Sequence, residues 1–416
     1  MNAVTPRPGL RPLADALADL LTATQALPGV DTVPTFDADG RVLAQALVSA
    51  LDVPGHDNTS MDGYAVRVVD LVAAQGAPLP VSQRIPAGHF GEPLRPGSVA
   101  RIFTGAPVPA GADAVVMQEE AEPAGEGWVT FKTVPQAGQW IRRQGEDVQK
   151  GAVVLPQGAR LGPAELGLAA SIGFANLLVA PRVRVALFST GDELVMPGTV
   201  APQDMKPGAI YNSNRFFLRA LLQRFGCQVS DLGIVPDQRE ATVAALREAA
   251  QQHDLILTSG GVSVGEEDHI KPAVQALGHL DLWQIGMKPG KPFAHGRVGP
   301  AHFIGLPGNP VSSFVTFLLL VRPFLLKLQG VAVDPTNALP TPLRLPAHFD
   351  LPKGDKRREF LRARRNAQGG LDLFPNQSSG VLTSAVWADG LIDNPPGQAI
   401  ARGDTVSFTP FADFLA

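Results

Sequence analysis

Three carboxylates and two lysines fall where apolar runs of this 416-residue chain give way abruptly to polar, Gly-rich residues. Glu193 closes Ser189-Thr190-Gly191-Asp192-Glu193 after the apolar run that starts at Val183, and Asp268 lies near the end of DLILTSGGVSVGEEDH, which contains Ser259-Gly260-Gly261. Asp237 follows Pro236 after Val229–Val235, and Lys288 and Lys291 share the turn MKPGKP. Carboxylates are hard oxygen donors suited to a divalent cation that keeps water and substrate phosphate in its shell. Paired lysines and loop N–H groups favour an oxyanion. A site with both features fits phosphoryl or nucleotidyl chemistry. Each acid alone could equally cap a helix or sit in a solvated loop, but a shared address at strand ends weighs against that.

Between the two Gly-rich passages lie helical periodicity from Asn214 to Phe225, a strand over Val229–Val235 and a second helical pattern from Arg239 to Gln252. A β-α-β-α-β order with short connections predicts a doubly wound, mostly parallel sheet, whose ligands bind outside the carboxyl ends of the strands. Glu193, Asp237 and Asp268 would then line one crevice. HFIGLPGNPVSSFVTFLLLVRPFLLKL adds a strand, the tight Pro307-Gly308-Asn309-Pro310 turn and a long apolar helix. Its early positions Val311, Ser312 and Ser313 would offer free N–H groups to an anion.

Outside this module the chain reads in three further parts. Leu13, Leu17, Leu20 and Leu21 at helical spacing predict an amphipathic helix over 12–26, and a second helical pattern runs from Leu43 to Leu51. The polar run Asp57 to Ala65, with Met61, Asp62, Gly63 and Tyr64 close together, has the character of a functional segment rather than a generic turn. From Ile85 to Leu155 short strand-like pieces alternate with Pro and Gly, which predicts a β-rich insertion. Residues 163–176 begin with Pro163 and Glu165, a helix start. Beyond Asp334-Pro335 the pieces are again short and alternating, an all-β C-terminal domain. The expected division is a discontinuous linking domain over 10–50 plus 145–181, the inserted domain over 51–144, the α/β domain over 182–329 and the β domain over 330–416.

Several function classes are disfavoured. A net charge of −4 gives no electrostatic case for nucleic acid or anionic membrane. A single Cys227 excludes internal disulfides and Cys-rich metal sites. No Gly-Lys-Ser/Thr follows either Gly-rich turn, no G-x-G-x-x-G opens a helix, and no G-x-S-x-G elbow is present. Asp15 and Asp19 interrupt any N-terminal signal-like run, and the most apolar window, Val311–Val321, stops at Arg322-Pro323, short of the roughly 20 residues a membrane span needs. The expectation is a soluble cytoplasmic protein.

TSMDGYAV, RIFTGAPVPAGADAVVMQEE, RRQGEDVQKG, FSTGDELV, SGGVSVGEEDH, MKPGKP and LPGNPVSS, in this order and spacing, resemble the molybdopterin molybdotransferase family of molybdenum cofactor biosynthesis. The resemblance runs from about residue 10 to the end. It implies a transferase that takes adenylated molybdopterin and molybdate and, with Mg²⁺, releases AMP and molybdenum cofactor. It also implies a four-domain homodimer, with a molybdopterin adenylyltransferase as a candidate partner. Carried over, it marks Asp62, Thr104, Asp147, Glu193, Asp237 and Asp268 as the polar site set, with Glu193 and Asp268 toward the metal. Ser189, Thr190, Gly191, Ser259, Gly260, Gly261, Lys288, Lys291 and the Pro307 to Pro310 turn would line the substrate cleft. Two places depart from the pattern: Asn212 stands where the family often has an acid, and the C-terminal Gln-Gly-Ser-Gly stretch is here Gln377-Ser378-Ser379-Gly380. Arg358, Ser379 and Ser384 are the C-terminal candidates. A stand-alone adenylyltransferase would lack the MDGYA segment and the C-terminal β domain, and a pure scaffold would not need every acid and lysine.

Overall fold

A computed structural model describes residues 9–236, 238–261 and 269–416. Two of the expected acids, Asp237 and Asp268, lie outside these residues. The central module is a six-stranded sheet in the spatial order Gln228–Val235, Arg184–Thr190, Leu255–Ser259, Ala301–Leu306, Pro292–Val298, Gly278–Gln284. The first four strands are mutually parallel, and Pro292–Val298 runs antiparallel to both of its neighbours. Val185–Phe188, the middle of the strand Arg184–Thr190, is apolar on both faces because both are covered. Val185 and Leu187 enter one core with Leu222, Phe225, Leu306 and Phe317, while Ala186 and Phe188 enter the other with Leu246, Ile256 and Phe303. Helices Asn214–Arg224 and Arg239–Gln252 supply those opposite covers.

The apolar segment after the Pro307–Pro310 turn is a continuous helix over Pro310–Leu328, longer than the window read from sequence, with a π-helical stretch at Phe317–Val321. Of its most apolar window, 83% is buried inside the molecule, which makes it a core helix. The N-terminal helix, Leu13–Thr22, places Leu13, Leu17, Leu20 and Leu21 in the same core. It therefore packs on the central module, although sequence order groups it with the linking segment.

That linking segment has its own core of Leu43, Leu47, Leu155, Leu161, Leu177 and Val179. The helix expected over Leu43–Leu51 is not formed. Leu47–Val48 is a short strand paired with Val153–Leu155, and Val42 and Leu43 bridge to Arg160 and Val179. Partners a hundred residues away override a local helical pattern that Pro54 and the Ser49 hydroxyl bond to Leu51 O could not extend. Helix Pro163–Ser171 starts as read, with Glu165 Oε2 accepting from Gly162 N at 3.0 Å. It ends early, because Asn176–Val179 pairs as a strand with Asp31–Pro34.

The inserted region forms a second six-stranded sheet, ordered Ala114–Met117, Gly63–Val66, Val99–Ile102, Leu79–Ile85, Trp128–Phe131, Ala121–Pro123. A third sheet joins Arg358–Arg365, Gly390–Asn394, Thr405–Pro410 and Leu343–Pro346, with the one-turn helices Thr383–Trp387 and Phe411–Leu415 beside it. Its edge strand is Met287–Lys288, donated by the central region and parallel to Arg358–Glu359.

Two histidines lie deep between the central sheet and the core helix. His295 and His302 sit with ring centres 6.1 Å apart, His302 is 5.0 Å from Phe324, and neither His295 Nε2 nor His302 Nδ1 has a hydrogen-bond partner among the described residues. Burial is the main cause that pushes their pKa values down, to about 4 and about 3. A buried neutral base binds its proton less readily than the unfolded chain does, so this contribution to stability is complete above about pH 6.5 and is lost as pH falls toward 4. Thermal melts between pH 7 and pH 4 should show a steep loss of stability that is visibly shallower in His302→Phe. Parallel curves for the two proteins would refute it.

Candidate active site

Parallel register brings three strand ends together: Ser189 lies beside Ser259, and Ser259 beside Leu306. The loops beyond them enclose a cavity of about 680 Å³, within the range of small-molecule sites. Thr190, Glu193, Ser259, Gly260 and the Pro307–Pro310 turn line it, together with Tyr211 to Asn214, Ser312 and Gly380. Gly191 has φ +140°, and a Cβ there would come within 2.6 Å of Glu193 Oε2. The turn thus lets the Glu193 carboxylate fold back over its own backbone. Ser189 is buried beside Ser259 and is not among the residues lining the cavity, and its hydroxyl lacks a partner among the described residues. Gly261, next to Gly260, ends the described part of its loop.

Asn214 ties the rim together and was not singled out from sequence. Its Nδ2 donates to Ser259 Oγ and to Gly308 O, both at 2.7 Å, so one amide at a helix start joins two strand-end loops. The signal was present in Tyr211-Asn212-Ser213-Asn214, but only tertiary packing shows which Asn reaches across. The helix start after Pro310 is less open than its sequence implies. Val311 N donates to Ser379 O at 3.0 Å and Ser313 N to Asn309 O at 2.9 Å.

The lysines are placed differently from the expectation of a shared cleft, and neither is among the residues lining this cavity. Lys288 lies on the edge strand of the third sheet and ion-pairs with Glu359 at 3.2 Å and Asp355 at 3.3 Å. The strand pairing of Met287–Lys288 carries it there. Lys291 lines a separate hollow with Lys353, Lys356 and Arg357. Hydrogen bonds from the Arg357 side chain, with Lys288 also contributing, hold the Asp355 carboxyl well below the usual carboxylate range.

The C-terminal candidates also sort by contact. Arg358 pairs with Asp393, away from the cavity. The arginine beside the cavity loop is Arg362, which is 1% exposed and donates to Ser384 Oγ, Phe360 O and Ser378 O. Burial lowers its pKa to about 10, so it stays charged at neutral pH. Ser379 accepts from the helix start and Ser384 holds the guanidinium. Sequence reading missed Arg362 because Arg357, Arg358, Arg362, Arg364 and Arg365 are indistinguishable until the sheet assigns their faces.

Asp62, Thr104 and Asp147 contribute nothing to this cavity. Asp62 Oδ1 accepts from Thr104 N at 2.8 Å and Thr104 Oγ1 at 2.7 Å, and these bonds lower the pKa of the carboxyl. Asp147 is exposed, with its N–H bonded to Val53 O.

Comparison with known proteins accounts for this order of parts. Profiles described as the MoeA N-terminal region (domain I and II), a probable molybdopterin binding domain and the MoeA C-terminal region (domain IV) match residues 11–173, 186–327 and 344–411. The molybdopterin molybdenumtransferase of Haemophilus influenzae is 41% identical over 91% of this chain and 93% of its own length. The chain belongs to the molybdopterin molybdenumtransferase family. A Nostoc relative of the same name is 35% identical over 98% of this chain and 94% of its own. The crystal structure of a molybdopterin biosynthesis MoeA protein from Pyrococcus horikoshii is 28% identical, with a TM-score of 0.83 over 97% of this chain and all of that one. The lining residues named above fall within the match at residues 186–327, except Gly380, which falls within the match at residues 344–411.

The Asn214 tie is directly testable. Asn214→Ala leaves a buried hydroxyl and a carbonyl without their donor, a loss of about 1–3 kcal/mol. The denaturation midpoint should fall while the slope of the transition holds. An unchanged midpoint would show that the rim does not depend on this side chain.

Proposed function

We propose that this chain is a molybdopterin molybdenumtransferase, inserting molybdate into adenylated molybdopterin with release of AMP. The observation that carries the reading is a cavity at the carboxyl ends of three parallel strands, built from the FSTGDELV, SGG and LPGNPVSS segments of a chain that aligns with these transferases along nine-tenths of its length.

In this reading the substrate enters with its adenylyl phosphate between the Thr190–Glu193 and Ser259–Gly260 loops. The Thr190 and Ser259 hydroxyls and the loop N–H groups orient it, and Asn214 keeps the two loops at a constant spacing. The charged Arg362 stabilises anionic groups near Gly380 through a low-dielectric surrounding. Among the described residues no group of three His, Cys, Asp or Glu could form a protein cage for a metal. One exposed carboxylate, Glu193, beside hydroxyls fits Mg²⁺, which takes one or two carboxylates and fills its shell with water and substrate phosphate. Glu193 would hold it, with Asp268 as the second expected ligand, and the ion would neutralise charge on the phosphate being cleaved.

Asp62, Thr104 and Asp147 are part of this reading through a homodimer. None of the residues lining the cavity comes from the inserted region, so Asp62 and Thr104 of one protomer would close over the cavity of its partner. A two-fold dimer then holds two equivalent composite sites.

Purified protein incubated with adenylated molybdopterin, Mg²⁺ and molybdate should release AMP in a molybdate-dependent manner. AMP release indifferent to molybdate, or none, overturns the reading. Glu193→Gln should lower that release at least about tenfold at limiting Mg²⁺, with partial recovery at high Mg²⁺. Composite sites are tested by refolding inactive Asp62→Ala and Glu193→Ala proteins together. Random pairing makes about half the dimers mixed, each with one intact site, so about a quarter of wild-type activity should return. Activity stuck at the level of the separate variants, with mixed dimers demonstrated, excludes the shared site.

A further inference from the structure

The Asp62–Thr104 pair is held by a cluster that no role in the reaction yet explains. In the inserted sheet Tyr64 is registered opposite Arg101, and Arg101 beside Arg84. Like charges on facing positions repel. Here the Phe103 ring offsets that repulsion, with the Arg84 and Arg101 guanidinium carbons 4.4 Å and 4.5 Å from its centre. Arg101 also lies 5.3 Å from the Tyr64 ring centre.

Besides a long bond from Nη1 to Ile102 O at 3.4 Å, the hydrogen bonds of Arg101 lead to the backbone around Asp62 without touching its carboxylate. Nη1 donates to Gly63 O at 2.8 Å, and Nη2 donates to Gln118 Oε1 at 2.6 Å. Gln118 N in turn donates to Asp62 O at 3.0 Å. Gly63 admits no side chain, since a Cβ there would lie 2.0 Å from Val116 O, so the backbone following Asp62 is pressed onto the next strand. One guanidinium thus grips the backbone on the carboxyl side of Asp62 and stacks on the residue preceding Thr104. Both Thr104 bonds fall on Asp62 Oδ1, which leaves Oδ2 without a partner among the described residues.

We propose that Arg101 is a positioning residue for the transferase reaction, fixing Asp62 and Thr104 as one rigid unit that presents Asp62 Oδ2 to the substrate. The proposal rests on the functional reading above, in which Asp62 serves the reaction. Arginine is suited to the task because its planar fork donates in two directions while its face stacks on an aromatic ring. Lysine offers one point charge and no stacking plane.

The test combines kinetics with a structural probe. Arg101→Gln should lower kcat for molybdate-dependent AMP release about 10–100-fold with KM little changed, the scale expected when a reacting group is misplaced by about 1 Å. Arg101→Lys should recover only a small part. Asp62→Asn combined with Arg101→Gln should be no slower than Asp62→Asn alone, because residues acting through one another are not additive. In selectively ¹⁵N-threonine-labelled protein the Thr104 amide resonance should move in Arg101→Gln. Multiplying kinetic effects, or an Arg101→Gln protein with wild-type kcat and an unmoved Thr104 amide, overturn the proposal. If Asp62→Asn itself turns over normally, the role read for Asp62 has failed, and the Thr104 amide alone decides the positioning claim: moved supports it, unmoved ends it. Should Arg101→Gln not fold, Phe103→Leu removes the stack and keeps the bonds. It should lower kcat and shift the same amide, and leaving both unchanged counts against the proposal.

Discussion

Parallel pairing is the constraint on which this molecule depends. Four parallel strands point the same way, so every loop beyond their carboxyl ends emerges on one side. Thr190, Ser259 and Leu306 finish side by side for that reason, although more than a hundred residues separate the first from the last. A parallel sheet must also be covered on both faces. The Pro310–Leu328 helix and the N-terminal helix cover one, and Arg239–Gln252 with Ile270–Leu277 the other.

Several of the less exposed cations tie one segment of the chain to another. Arg322 leaves the core helix to donate to Phe414 O and Ala338 O, and burial lowers its pKa to about 10. Arg362 is likewise satisfied by neutral oxygens, while Lys288 is bound to Glu359 and Asp355. A buried cation whose partners are carbonyls and hydroxyls keeps its positive field, whereas one paired with carboxylates is largely neutralised at short range. The two cations therefore differ in the field they present to their surroundings.

The polar residues also divide by region. Thr190 and Ser259 end strands of the central sheet, Glu193 lies in the loop beyond one of them and Asn214 opens a helix beside them, while Asp62 and Thr104 belong to the inserted region. Each set is tied in its own way: an amide bridging two loops in one case, a guanidinium stacked on Phe103 in the other. Preorganised polar groups of this kind are what a charge-stabilising site requires.

Periodicity and turn residues by themselves determined the central module: the apolar run before Ser189, the helices from Asn214 and Arg239, and the loops that carry Glu193 and Ser259. Those signals are local, and the βαβ order converts them into a crevice without further information. The ordered motifs from TSMDGYAV to LPGNPVSS determined the family. Only the tertiary structure decided that Leu43–Leu51 pairs rather than coils, because its partners near Val153 and Val179 lie far along the chain. It alone moved Lys288 from the cleft into ion pairs, since the Met287–Lys288 strand joins a different sheet from the strand before it. It alone set Arg362 against the Ser378–Ser384 segment and Arg358 against Asp393, and gave the bridging bonds to Asn214. Neighbouring residues of one type carry equal signals in sequence, and the direction a side chain takes is set by register and packing against segments that sequence order does not bring near.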